Sequence, residues 1–259
     1  MAPVTTALAT MPGYGHTAVG VGLLAAVCVS TLAIARVELR GSIVMALSRA
    51  VVQLAVVALL VRAIFANPYL VAVLLLVMVT TATLTTGGRL RGFPRARLAV
   101  LGAALLGATT VVGICFAVPV VPRDARYVVA LGGITLGGTM TACTIAGRAF
   151  FLALQTRSDE VEAWLSIGAT SRQACARLAR TAIRDALLPA IDQTRTVGLV
   201  SLPGAFVGGL AAGASAADAA RFQLVVLAAL LAAQTVSAVA LLAVLGAPRT
   251  IPAPAMAHT

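Results

Sequence analysis

Seven apolar stretches, each long enough to cross a lipid bilayer, constrain this chain more than anything else in its sequence. They lie near 17–35, 42–64, 68–87, 98–120, 126–147, 190–212 and 222–246. A helix rising 1.5 Å per residue needs about 20 mostly apolar residues to traverse a hydrocarbon core about 30 Å thick. In lipid the backbone N–H and C=O groups must find partners within the protein, and a helix supplies them within one segment. The fold class expected is all-α: a polytopic integral membrane protein with about seven transmembrane helices. Composition agrees. The chain is 60% hydrophobic and 10% charged, against about 45–50% and 25% in soluble domains, so a water-facing globule is excluded.

Arginine placement orients the spans. All 19 basic residues are arginine. With seven spans, Arg36, Arg40, Arg89, Arg91, Arg95, Arg97, Arg148, Arg157, Arg172, Arg177, Arg180, Arg184 and Arg249 fall on one side. Arg62, Arg123, Arg126 and Arg221 fall on the other. Basic residues favour the cytoplasmic side, which places the N-terminus outside and the C-terminus in the cytoplasm of a cell's plasma or inner membrane. The net charge of +11 is then a topology signal, and no nucleic-acid partner is expected. No basic residue precedes the first span, which argues against a cleavable signal peptide. Residues 1–249 read as one transmembrane domain and 250–259, with its run IPAPAMAHT, as a disordered tail.

The missing lysine also excludes chemistry. Without it there is no P-loop lysine, no Schiff base and no lysine nucleophile. Eight acids and two histidines leave little for catalysis, no catalytic residue is assigned, and no enzyme is expected. Cys28, Cys115, Cys143 and Cys175 show no CxxC or Cys/His spacing. Met140 and Cys143, three residues apart in the fifth span, could offer soft ligands to a metal. A core filler and a buried thiol are the plainer reading of the same pair.

Only one segment outside the membrane is substantial, 148–189, on the cytoplasmic side, and it holds four of the eight acids. Asp159, Glu160 and Glu162 open a helix-like stretch in which Val161, Trp164, Leu165 and Gly168 repeat at helical spacing. Gly168 and Ala169 break it, and Thr170 or Ser171 can cap a second helix. There Gln173, Arg177, Arg180 and Arg184 share one face, while Cys175, Leu178, Ala179, Ala182 and Ala186 share the other. Pro189 marks re-entry into the membrane. A short helix, a glycine turn and a basic amphipathic helix can transmit force from a docked partner. They can equally form an interfacial helix whose arginines face anionic headgroups.

At this point the residues resemble a known family. The run EVEAWLSIGATSRQA at 160–174 is similar to the coupling loop of ABC-transporter permeases, with Glu162-Ala163 ahead of Gly168. More specific is IDQTRTVGLVSLPG at 191–204, which closely resembles the signature of the FetB-like iron-export permease family, related to plant aluminium-tolerance permeases. SRAVVQLAVVALL at 48–60, with Arg49 and Gln53, and ARFQLVVLAALLAA at 220–233 match the same family. The chain departs from it at Arg195, where relatives often carry lysine, at Ala205-Phe206, where methionines are common, and in GGTMTACT at 137–144, where relatives often carry asparagine. The resemblance implies a permease, homodimeric, working with a separately encoded ATP-binding subunit. It implies that Glu160, Glu162, Ala163, Gly168 and Ala169 couple to that ATPase. No cofactor would bind this chain itself, ATP and Mg being held by the partner subunit.

Polar residues within the spans mark a candidate pathway: Arg49, Gln53, Asp192, Thr194, Arg195, Gly198, Ser201, Pro203 and Gly204. An arginine exposed to lipid at mid-helix costs on the order of 2.5–3.5 kcal/mol on insertion scales, so Arg49 should face protein or water. It either approaches Asp192, joining spans 2 and 6, or snorkels to headgroups while Asp192 pairs with Arg195. Pro203 and Gly204 near the middle of span 6 suit a broken helix lining a cavity or an ordinary packed kink. Thr80, Thr81, Thr83, Thr85 and Thr86 in span 3 are expected to bond back to helix carbonyls. The leading function is the membrane half of an ATP-driven exporter of metal ions. A stand-alone secondary transporter would need an acid relay, for which Asp192 is the one well-placed carboxylate. A seven-span receptor would need more than these short outer loops.

Overall fold

The computed structural model describes residues 13–90, 92–118 and 120–248. Arg91, Arg249 and the tail at 250–259 lie outside the described residues. The chain forms α1 (Tyr14–Ile34), α2 (Arg40–Ala66), α3 (Pro68–Arg89), α4 (Ala96–Ala117), α5 (Ala125–Thr156), α6 (Ser158–Ser166), α7 (Ser171–Thr196), α8 (Gly204–Ala211) and α9 (Ala216–Leu245). The architecture is all-α, and α1 to α5 with α9 are long and apolar enough to cross a membrane. The protein is a multi-pass membrane protein.

Two expectations change. The fifth span does not end near 147: α5 continues to Thr156, because RAFFLALQT at 148–156 stays helix-forming and buries Phe150 and Leu154. The sixth span, expected as a continuous helix over 190–212, is broken. Helix α7 runs from Ser171 through Pro189 to Thr196, the chain opens over 197–203, and α8 restarts at Gly204. Pro189 therefore lies inside a helix rather than at its start.

Helix α9 is the axis of the body. It packs on α4, α5, α7 and α8, and α3 packs on α4 and α5. With no water to expel between helices in lipid, close backbone approach and interhelical hydrogen bonds carry the association. Gly107 of α4 meets α9 so closely that a Cβ there would lie 2.2 Å from Ser237 Oγ. Ser237 Oγ donates to the Ala103 carbonyl at 2.9 Å and lies 3.1 Å from Thr139 Oγ1, tying α4, α5 and α9 at one buried point. Nearer one end, Phe93 stacks on Phe150 and meets Phe151 edge-on. Helices α1 and α2 stand outside this body, packed on each other and, through α2, on α3, with Ile64 the buried residue of α2.

Arginines hold both ends of the bundle. At one end Arg172 Nη2 donates to the Ala243 carbonyl at 2.9 Å and Arg89 reaches Thr144 Oγ1 at 3.4 Å. At the other, Arg123 donates to the Phe116 carbonyl at 3.2 Å and Arg126 lies over the Phe65 ring.

Candidate functional site: a helical tip and two cavities

The turn between α6 and α7 is built by two back-to-back caps. Gly168 has φ +89°, donates to the Leu165 carbonyl at 3.0 Å, and is followed by Ala169, which donates to Trp164 at 3.0 Å. This 5→2 and 6→1 pair is a Schellman motif, whose C′ residue needs the left-handed conformation that glycine adopts without penalty. Thr170 then caps α7 in a capping box with Gln173. The turn thus reverses the chain with the Gly168, Ala169 and Thr170 N–H groups paired.

The tip exposes apolar side chains. Trp164, Leu165 and Ile167 are 49%, 43% and 76% exposed, beside exposed Glu162 and Ala163. Glu160 faces the other way. Arg177 Nε donates to Glu160 Oε1 at 2.9 Å and Nη2 to Oε2, a fork-to-fork pair that fixes α6 against α7. The hydrogen-bonded Arg177 guanidinium holds the Glu160 carboxyl below the usual carboxylate range. Glu160 is therefore an internal strut rather than a contact residue of the tip.

The apolar face of α7 is satisfied by protein, not lipid. Ala174, Cys175, Leu178, Ala182, Ala186 and Ala190 are buried against α5 and α9, which corrects the picture of a helix lying on the bilayer surface. The arginines keep the exposed face, as the spacing required.

Further along α7 the helix ends in an unusual way. Gly198 has φ +82°, its N–H donates to the Ser201 carbonyl at 2.9 Å, and Leu199 and Val200 donate to Thr196 at 3.2 and 2.9 Å. Pro203 is the N-cap of α8. Under this break lies a cavity of about 410 Å³ lined by Val197, Leu202, Pro203, Phe206, Gln223 and Leu227. A second, of about 330 Å³, lies between α5, α7 and α9, lined by Gly138, Thr141, Pro189, Gln193, Leu230 and Gln234 among others. Gln223, Leu227, Leu230 and Gln234 recur at helical spacing, so one face of α9 serves both cavities. Gln223 is 5% exposed and its Oε1 has no partner. Gln234 is 7% exposed.

The residues expected on the pathway separate. Gly198, Ser201 and Pro203 form the break, and Gly198, Ser201 and Gly204 are exposed. Thr194 Oγ1 donates to the Ala190 carbonyl at 2.8 Å. Arg195 Nη1 lies 3.7 Å from Asp192 Oδ1, the local pairing. Arg49 and Gln53 are exposed on α2, and Arg49 makes no ion pair with Asp192, because α2 packs on α1 and α3, away from α7. Cys143 is fully buried with Sγ 3.8 Å from the Ser237 carbonyl, so it packs between helices and does not face a cavity with Met140. Among the described residues no group of three His, Cys, Asp or Glu side chains could hold a metal. In α3, Thr80 bonds back to Leu76 at 2.8 Å, but the buried Thr83 and Thr86 hydroxyls have no partner. Sequence reasoning passed over Gln193, Gln223 and Gln234; their signal was amides spaced along otherwise apolar helices.

The comparisons follow the same outline. No solved structure matches the chain. It is similar to the UPF0014 membrane protein STAR2 of Oryza sativa subsp. japonica, 35% identical over 229 residues, 85% of this chain and 80% of the relative. It is similar to Protein ALUMINUM SENSITIVE 3 of Arabidopsis thaliana, 32% identical over 205 residues, 78% of this chain and 75% of the relative. The Probable iron export permease protein FetB of Escherichia coli is 29% identical over 210 residues, 79% of this chain and 80% of the relative. The family model described as Uncharacterised protein family (UPF0014) matches residues 17–249, and with that span and these relatives the chain belongs to the UPF0014 family of membrane proteins.

Proposed function

We propose that this chain is the membrane-spanning permease subunit of an ABC-type exporter, working as a homodimer with a separately encoded ATPase, and that its cargo is iron or another metal ion. The observation that carries the reading is the α6–α7 tip. Trp164, Leu165 and Ile167 form an apolar knob on a turn whose N–H groups are internally paired. Such a patch outside the membrane marks a protein contact. The fork-to-fork pair between Glu160 and Arg177 would pass a push on the knob into α7. Helix α7 ends at the break beside both cavities, so motion of the tip would reach them through one helix. The arginine-rich end is cytoplasmic on this reading, with the N-terminus outside, in the cell's inner membrane. Metal cargo draws its support from the relative named as a probable iron export permease.

The test is co-purification from native membranes. The tagged wild-type chain should bring down a soluble ATPase, and Ile167→Asp should lose it while the permease still folds. A permease purified without any ATPase partner would contradict the reading.

A further inference from the structure

The last turns of α7 carry charge into the middle of the bundle. Ala190 and Gln193 share one groove with Gly138 and Thr141, mid-way along α5, and with Leu230 and Gln234, mid-way along α9. Both of those helices are long enough to cross the membrane, so Asp192 and Arg195, beside Gln193 on α7, lie at the depth of the hydrocarbon core. Their side chains are 64% and 74% exposed. Helix α7 turns Ala186 and Ala190 onto α5 and α9. Leu188, Asp192 and Arg195, at i, i+4 and i+7, are exposed on the opposite face. Just beyond them the non-helical backbone of 197–203 exposes Leu199, Val200 and Leu202. Lipid suits neither feature. Charged side chains at this depth face protein or a water-filled space, and irregular backbone is tolerated only where protein buries it or it lines such a space. Among the described residues no other helix supplies that cover, because α1 and α2 pack on each other and on α3, away from α7.

We propose that a second copy of this chain covers this face, meeting it about a twofold axis beside Asp192 and Arg195, so that each Arg195 also pairs with Asp192 of the other copy. The inference rests on the homodimer reading and names the face through which the copies meet. A twofold interface sets one patch against itself, so the patch must be self-complementary. This one carries one acid and one base, about 4.5 Å apart along the helix axis, and no net charge. At 3.7 Å the pair within one chain is longer than a charge-assisted hydrogen bond, so both groups keep capacity for a partner. Leu188 and Leu199, both exposed, flank the charges and add apolar contact.

Two measurements on the full-length chain in native membranes test this. In the first, Asp192→Arg and Arg195→Asp chains carrying different affinity tags are co-expressed, one face having two bases and the other two acids. Capture of one variant by the other should exceed self-capture of either about tenfold, because like charges repel across a contact and opposite charges attract. Both variants lose the pair within the chain, so a purely local role gives no such preference; equal capture would overturn the proposal. In the second, cysteines are placed in a Cys28→Ser background, where Cys115, Cys143 and Cys175 are buried. Leu188→Cys or Leu199→Cys should give dimers with a short bis-maleimide, and Val52→Cys, exposed on α2, should not. Cross-links through Val52→Cys alone would overturn this face and leave the homodimer standing. A single permease chain per complex by native mass spectrometry from nanodiscs, with no cross-link at any position, would overturn the homodimer as well.

Discussion

At the scale of single residues, most of the account rests on contacts with one purpose each. Glu160 was legible as part of an acidic helix start, but its pairing partner is seventeen residues away, across a turn whose geometry no local pattern specifies. Because its carboxyl is held low by Arg177, the pair fixes α6 above the ordinary carboxylate range and loses that hold as pH falls through the depressed value. Amide hydrogen exchange over 158–167, corrected for intrinsic rates, should show protection falling on acidification. Glu160→Gln should be poorly protected at both pH values, with the pH dependence gone. Gly168 is a different case, since nothing lies within 4 Å of the Cβ a substitution would add. The penalty of Gly168→Val is then backbone strain of about 1–2 kcal/mol, and Gly168→Asn should be milder because asparagine tolerates the left-handed region. Thermal melts of the two variants check the order.

At the scale of elements, apolar length was a sufficient guide wherever a helix is apolar along its whole course. Helices α1 to α4 and α9 begin and end within a few residues or two turns of the expected spans for that reason. It failed at α7, because a helix that starts among arginines and ends among amides has no uniform hydropathy to read. Periodicity recovered its buried face, Cys175, Leu178, Ala182 and Ala186, but not what covers that face, since apolar packing against lipid and against α5 leaves the same pattern. The amides of Gln223 and Gln234 were equally visible as letters, yet only the folded bundle places each on the wall of a cavity. The α4–α9 contact gives the sharpest element-level prediction. Gly107→Ala must displace Ser237 or the Ala233 carbonyl and should cost about 1–3 kcal/mol as overpacking. Ser237→Ala removes the hydrogen bonds to Ala103 and Thr139 and should cost about 1 kcal/mol for each. Melting temperatures in detergent should fall for both variants, and a wild-type melt for either would contradict the contact.

For the whole molecule, charge and apolarity divide the work. Apolar stretches build the membrane body, arginines gather at the end that carries α6, and the chain itself lacks the lysine a P-loop needs. The proposed energy source on another polypeptide draws its support from the exposed knob at Trp164, Leu165 and Ile167. The alternative, a stand-alone transporter driven by an ion gradient, would need a buried acid, and Asp192 is exposed. The most direct test is uptake of radioactive ferrous iron into inside-out vesicles carrying this chain and its co-purified ATPase. ATP should drive uptake, and Ile167→Asp should abolish it. Uptake that proceeds without ATP and follows an imposed proton gradient would contradict the account.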